Sequence, residues 1–153
     1  MSTIEAAMFQ SQHARAPHPV FSVNGQSLDV WLNDVHPQAD VLGLVPAQGW
    51  LIDDEEFKCA WERISSVEPG TSTIVPVLVC SDDVDLTCTV VVVEQKANAE
   101  TVAWLRFGFS RSAGIGVGTT TQWLTGCAPL EFDRGEFERA LTAFKSLANS
   151  DWK

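Results

Sequence analysis

Three mainly apolar runs of the strand type lie close together in the middle of the chain. Val75–Cys80 and Cys88–Glu94 flank a short acidic corner, Ser81–Leu86, and Thr101–Phe109 follows after a polar turn. Short apolar runs bounded by turn signals are typical of buried strands. The pattern therefore predicts an antiparallel sheet at the centre of the fold, with carboxylates concentrated at one rim.

Details within these runs bear on where each strand lies. Pro76 cannot donate a ladder hydrogen bond, so its run lies at a sheet edge or begins late. Val90–Val93 is apolar at every position, as in a central strand that is buried on both faces.

Arg111–Gly118 is a glycine-rich loop, and Val117–Leu124 predicts a further strand.

The clearest helical pattern lies near the end of the chain. Asp133 is a favourable N-cap, Glu136 completes a capping-box pattern, and Phe132 and Phe137 are spaced for a hydrophobic staple. An apolar stripe at helical spacing predicts an amphipathic helix. Its members are Phe137, Ala140, Leu141, Phe144, Leu147 and Ala148.

Earlier segments leave alternatives open. Asn24–Gly25 is a hairpin signal, but Ser27–Val35 also suits a short helix capped by Ser27, which we favour. Asp53–Ile64 is either a short helix with acids at its positive end or an acid-led strand. Residues 1–17 are mixed in polarity and end in a proline, which predicts a flexible N-terminal tail.

Together these elements predict an α+β fold. We expect a mostly antiparallel sheet of about four to six strands, the C-terminal amphipathic helix, and one or two short helices packed on the sheet. Residues 18–153 are predicted to form a single domain, because a chain of 153 residues suits one domain. A core of this size needs neither a metal nor a disulfide.

The net charge narrows the choice of partners. Twenty acidic and ten basic residues give a formal net charge of −10. Such a field repels nucleic-acid phosphates and anionic membranes and attracts cationic partners, although solubility alone also explains an acidic composition. The N-terminus lacks a secretory pattern, and no apolar run approaches the ~20 residues of a membrane span. We therefore predict a cytoplasmic protein that binds neither nucleic acid nor membrane.

Motifs for catalysis are weak. His13 and His18 are assigned to the tail and His36 to a loop, and no Gly-x-Ser-x-Gly pattern is present. Gly114–Gly118 lacks both the spacing and the lysine of a phosphate loop. The sequence therefore predicts no enzyme and no cofactor.

The cysteines fit a reduced protein. None of the four forms a Cys-x-x-Cys pair, and all histidines precede residue 37, so we expect no metal ligand set. Cys80 and Cys88 could still face each other across the acidic corner as a redox pair.

Two acidic segments carry candidate recognition chemistry. The acidic corner supplies Asp82, Asp83 and Asp85. The second segment, here called the acidic helix start, opens the possible helix Asp53–Ile64 and supplies Asp53, Asp54, Glu55 and Glu56. Fixed carboxylates can accept arginine or lysine from a partner. Carboxylates so spaced also suit calcium or magnesium, and a solvated turn is the simplest structural explanation.

Several landmarks follow one another along the chain: Leu44–Pro46 with Trp50, the segment at Asp53, Val75–Cys88, Val102–Gly108, Trp123 and the final helix. Their order resembles that of small bacterial immunity proteins encoded beside polymorphic or contact-dependent toxins. The resemblance runs from about Leu28 to Leu147 and is one of size, acidity and pattern. It implies a small, non-enzymatic α+β protein that blocks one cognate toxin, often a nuclease with a basic cleft, and it carries over no residue role.

Three hypotheses follow. The first is an inhibitory protein that binds a basic toxin domain, with the acidic corner and the acidic helix start as two contact patches. The second is a small metal-binding or ligand-binding domain, or an enzyme, that uses Asp82–Asp85. The third is an effector chaperone or a homodimer formed through the apolar sheet face or the tryptophans, although most of the six tryptophans are expected in the core.

Overall fold

The computed structural model describes residues 1–149. Within them it has one six-stranded and one three-stranded antiparallel sheet, a C-terminal helix and shorter helices, which confirms the predicted α+β class. The strands are β1 (Ile4–Phe9), β2 (His18–Val23), β3 (Gln26–Ser27), β4 (Val45–Pro46), β5 (Ser72–Val79), β6 (Val90–Ala97), β7 (Thr101–Ser110), β8 (Thr121–Trp123) and β9 (Leu130–Asp133). The α-helices are α1 (Leu28–Val35), α2 (Ala47–Trp50), α3 (Asp54–Ile64) and α4 (Arg134–Ala148), and short 3-10 helices span Pro37–Ala39 and Gly114–Gly116.

The larger sheet has the strand order β4–β5–β6–β7–β8, and β9 pairs with the first half of β7. β6 is central and buried on both faces, as the run Val90–Val93 predicted. Val91 and Val93 join the main core, whereas Val90 and Val92 join a second apolar cluster on the opposite face. The sheet therefore separates two cores.

Pro76 lies where a proline can be accommodated. β4 pairs only with Leu78 and Val79, at the end of β5, and the pairing of β5 with β6 shifts register between Pro76 and Leu78. The carbonyl of Pro76 accepts a hydrogen bond of 2.7 Å from Nε2 of Gln48, so α2 covers this stretch of β5. The missing N–H of the proline thus interrupts no long ladder.

The N-terminal segment differs from the predicted flexible tail. Ile4–Phe9 forms β1 and pairs along its whole length with β2, and the side chain of Ile4 is buried in the main core. The tail prediction was wrong here because non-local pairing decides the state of a segment with weak local signals. His18, also assigned to the tail, is a fully buried residue of β2.

The structure contains both the hairpin turn at Asn24–Gly25 and the short helix predicted after it. Asn24 and Gly25 have φ values of 51° and 84°, the positive values that a tight hairpin turn requires, and β3 then leads directly into α1. Ser27 occupies the N-cap position of α1, but its hydroxyl donates to Asp29 instead of capping the helix. Asp54–Ile64 is a helix, as one of the two alternatives predicted.

The main core joins both sheets to α4. Trp104 is fully buried, its Nε1 donates to Oε1 of Gln95 at 3.0 Å, and its ring packs edge-on against Phe107, Phe132 and Phe137. Trp31 is also buried, whereas the remaining described tryptophans, Trp50, Trp61 and Trp123, are half-buried. Trp152 lies outside the described residues.

Candidate functional site

The acidic corner is a compact turn that connects β5 to β6. Val84 has a φ of 46°, and its N–H donates to the carbonyl of Cys80 at 3.0 Å. Oδ1 of Asp85 accepts from the backbone and hydroxyl of Thr87, at 3.0 and 2.6 Å, and from the N–H of Cys88 at 3.3 Å. The hydrogen bonds from Thr87 hold the pKa of Asp85 below its ordinary value. Asp85 is therefore an ionised residue that orders the turn.

Leu86 and Glu56 join the acidic corner to α3. The side chain of Leu86 is buried in the second apolar cluster, and its N–H donates to Oε1 of Glu56 at 3.2 Å. Burial raises the pKa of Glu56, and the negative charges of Asp53 and Asp85 raise it further. The structure thus brings the two predicted acidic segments together into one acidic face, which comprises Asp53, Asp54, Glu55, Glu56, Asp82, Asp83 and Asp85.

The seven carboxylates of the acidic face divide into two groups. Asp53 caps α3 by accepting from the N–H of Glu56 at 3.0 Å, and Glu56 and Asp85 make the contacts described above. The other four side chains, Asp54, Glu55, Asp82 and Asp83, are exposed, as is that of Asp53. Among residues 1–149, no ion pair involves any of the seven.

A groove of about 560 Å³ runs beside this face. Asp82 lies on one wall together with Ser81 and Val84, and residues 13–16 and Trp50 form other parts of the lining. Ile52, which also lines the groove, directly precedes Asp53 and leaves 75% of its surface exposed. Sequence reasoning missed Ile52 because a single apolar residue in an acidic segment gives no signal until the fold exposes it.

His18 makes a hydrogen bond that resembles a hydrolase contact. Its Nε2 lies 2.9 Å from Oγ of Ser11, and its Nδ1 lies 3.1 Å from the carbonyl oxygen of Pro19. Because that carbonyl can only accept, Nδ1 carries the proton and Nε2 accepts from Ser11. Burial lowers the pKa of His18, and Ser11 is only 2% exposed. A nucleophile must be reached by its substrate, so we interpret this pair as a buried structural contact.

The glycine-rich loop is held by an arginine. Nη1 of Arg63 donates to the carbonyls of Ile74 and Val117, at 3.1 and 2.6 Å, and Nη2 donates to Ile115 at 2.8 Å. A phosphate cradle instead turns successive N–H groups toward its ligand. These contacts favour a structural role for the loop.

Two of the four free cysteines meet at the acidic corner. The Sγ atoms of Cys80 and Cys88 and a carboxylate oxygen of Asp83 all lie within 4.8 Å of one another. A hydrogen bond with Asp83 raises the pKa of the exposed Cys88 thiol. Cys59 and Cys127 are half-buried elsewhere, and burial raises the pKa of Cys127.

None of the helices in residues 1–149 combines the length and apolar character that crossing a bilayer requires. A scan against protein-family models, a search of curated proteins and a search of solved structures each found no match to this chain.

Proposed function

We propose that this chain is a non-enzymatic, cytoplasmic binding protein of the immunity type, which inhibits a basic toxin domain by direct contact. The observation that carries the proposal is the acidic face, in which segments about 30 residues apart lie side by side. Three of its exposed carboxylates, those of Asp54, Glu55 and Asp82, make no ion pair among the described residues and hold no helix or turn. They are therefore available to arginine and lysine side chains of a partner.

Electrostatics supports rapid capture of such a partner. A net charge of −10 accelerates the encounter with a cationic domain, and the gain falls as salt screens the field. The four free cysteines also suit a reducing compartment.

Ile52 supplies the apolar part of the proposed interface. Charge pairs at an interface rim mainly set the association rate, whereas buried anchor residues slow dissociation. Ile52 projects from the groove wall next to the acidic face, and a partner that covers this face would also bury it. We expect the partner to present an apolar pocket surrounded by basic residues.

The first experiment identifies the partner and tests inhibition. The chain is affinity-tagged in its native cells, and proteins that co-purify at low salt are compared with those at moderate salt. We expect one basic protein that is released as salt rises, that is toxic when expressed alone and that is neutralised by co-expression of this chain. Recovery of no basic partner, or a partner whose toxicity is unaffected, would contradict the proposal.

A charge-matched pair of variants then tests the acidic face. The test variant combines Asp54→Asn, Glu55→Gln and Asp82→Asn. It leaves intact the carboxylates that hold the fold together, those of Asp53, Glu56 and Asp85. At low salt it should associate roughly 10-fold more slowly than the wild type, with the difference shrinking at high salt. Stopped-flow mixing measures the rates.

The control variant loses the same number of charges from exposed positions elsewhere. It combines Glu68→Gln, Glu100→Gln and Glu131→Gln. Its association rate should remain near that of the wild type. Equal slowing of both variants would show that only total charge matters and would remove the acidic face from the proposal.

Ile52→Ser tests the apolar anchor. We expect dissociation to accelerate by at least about 10-fold, the range of a buried interface side chain, with the association rate little changed. Ile115→Ser is the matched control because Ile115 is also exposed, at 57%, and does not line the groove. Identical dissociation rates for the two variants would exclude Ile52 from the interface.

A further inference from the structure

We propose that Cys80, Asp83 and Cys88 form a binding site for one thiophilic divalent cation of the zinc type. The site lies at the base of the acidic corner and shares Asp83 with the acidic face, but metal binding there does not depend on the proposed inhibitory function. It also differs from the calcium or magnesium site that the spacing of carboxylates alone would indicate, because two of its three ligand atoms are sulfur.

The backbone converges on this site from both sides. Val79 of β5 pairs with Val90 of β6, so Cys80 and Cys88 leave the sheet at the same end of the two strands. The turn between them carries Asp83 back toward the sulfurs. The three ligand atoms therefore come from three separate points of the turn and still lie within 4.8 Å of one another.

These separations suit a tetrahedral ion. With Zn–S distances near 2.3 Å and Zn–O distances near 2.1 Å, ligand atoms in a tetrahedral site lie roughly 3.5–3.8 Å apart. The observed separations, up to 4.8 Å, are about 1 Å wider than this, so the three side chains would close by that amount around an ion. Asp83 and Cys88 are exposed and Cys80 is half-buried, so an ion has a path of entry and water can occupy the fourth position.

The ligand set and its surroundings select the kind of ion. Two thiolates favour zinc and other soft ions over calcium and magnesium, which prefer oxygen ligands. The N–H of Cys88 is held by Oδ1 of Asp85 at 3.3 Å, and the carbonyl of Cys80 accepts from Val84. These contacts fix the backbone from which the two thiols project. The excess negative charge of the chain adds to the attraction for a cation.

The test is a titration of the full-length, reduced protein with Co²⁺, followed by displacement with Zn²⁺. Co²⁺ is used because its thiolate complexes absorb in the near ultraviolet and its tetrahedral complexes absorb in the visible. We expect one equivalent to bind with both signals and to be displaced by Zn²⁺. Cys80→Ser and Cys88→Ser should each abolish the thiolate signal or weaken binding by at least about 100-fold, and Asp83→Asn by about 10-fold or more.

Two control variants keep the site intact. The double variant Cys59→Ser and Cys127→Ser removes the other free thiols, and Asp82→Asn removes a neighbouring exposed carboxylate. Both should bind Co²⁺ like the wild type, and circular dichroism in the presence of a chelator establishes that every variant is folded. Thermal unfolding of the wild type should shift upward with Zn²⁺, and this shift should be absent in Cys88→Ser.

Several results would overturn the proposal. One is a wild-type spectrum without thiolate absorption. Another is binding that persists in folded Cys80→Ser and Cys88→Ser, or binding that is lost equally in the control double variant. The last is a disulfide between Cys80 and Cys88 that persists under reducing conditions. The same two sulfurs would then be unable to bind a metal.

Discussion

At the scale of single residues, Glu56 shows that acidic side chains on one surface have different tasks. Its exposed fraction is only 9%, and it accepts a hydrogen bond from the N–H of Leu86. Burial and the nearby carboxylates of Asp53 and Asp85 raise its pKa above the ordinary value of 4.5. The folded state therefore holds this proton more tightly than the unfolded state does.

The sign of the resulting pH dependence follows from linkage. Because the folded pKa is the higher one, ionising Glu56 costs more in the folded protein, so stability declines as pH rises from the unfolded pKa through the folded pKa. Glu56→Gln keeps an oxygen acceptor for Leu86 and removes the titration. We expect the free energy of unfolding of this variant, relative to the wild type, to increase between about pH 4 and pH 7. Urea unfolding at several pH values measures it.

Glu56→Ala separates the charge from the hydrogen bond. This variant leaves the buried N–H of Leu86 without its acceptor, which should cost about 1–3 kcal/mol at every pH. If Glu56→Gln and Glu56→Ala lost the same stability at neutral pH, the contact with Leu86 would not be the reason for the position of the carboxylate.

The sequence could predict part of the candidate site for physical reasons. Carboxylates cluster locally in the chain, so both acidic segments were visible without a structure. The contact between Glu56 and Leu86 joins positions 30 residues apart, and no local pattern encodes it. For the same reason the sequence showed neither the groove beside Ile52 nor the approach of Asp83 to the two cysteines.

At the scale of elements, α4 explains why the N-terminal segment is ordered. Asp133 caps the helix by accepting from the N–H of Glu136 at 3.0 Å, and Phe132 stacks on Phe137 as the staple pattern predicted. Glu136 does not complete the capping box in the usual direction. Its Oε1 instead accepts from the N–H of Ile4 at 2.8 Å and thereby fixes β1 against the start of α4.

Removing this carboxylate should loosen β1 selectively. Glu136→Ala leaves the N–H of Ile4 without its acceptor, and we expect a loss of about 1 kcal/mol in the free energy of unfolding. Hydrogen exchange of the β1 amides should accelerate, whereas exchange in β6 should change only as much as global stability does. Hydrogen-exchange mass spectrometry with urea unfolding measures both.

Two variants control this experiment. Glu136→Gln keeps an acceptor and should preserve most of the protection of β1. Glu138→Ala removes an exposed pair with Arg134 on the same helix and should cost no more than about 0.5 kcal/mol. Faster exchange in β1 for Glu138→Ala as well would mean that the helix as a whole, and not the contact with Ile4, orders the strand.

Elements with strong local signals were predictable, and those that depend on pairing were not. The cap and staple residues around α4 and the apolar runs of β5, β6 and β7 specify their states from nearby residues alone. β1 contains two alanines and a glutamate among its six residues, so its order comes from β2 and α4. Residues 1–17 therefore looked like a tail because the partners that order Ile4–Phe9 are distant in the chain.

At the scale of the whole molecule, the net charge of −10 opposes folding because compaction brings like charges together. At neutral pH and low ionic strength, this repulsion is on the order of a few kcal/mol for a domain of this size. The ion pairs found in residues 1–149 are three exposed ones, each worth between about 0 and 1 kcal/mol. Screening by added salt should therefore weaken the repulsion between the acidic residues more than it weakens the attraction within the ion pairs.

We expect added sodium chloride to raise the melting temperature at pH 7, most steeply up to about 0.1 M, where the Debye length falls to about 10 Å. Near the isoelectric point of about 4.5 the net charge vanishes, so the same addition should have little effect or lower the melting temperature slightly. Calorimetry at both pH values makes the comparison, and the difference between them removes effects of salt on apolar burial. An equal rise at both pH values would show that repulsion is not a significant part of the stability balance. The acidic face would then carry its exposed carboxylates at no cost to folding, and only the association experiments would bear on why they are there.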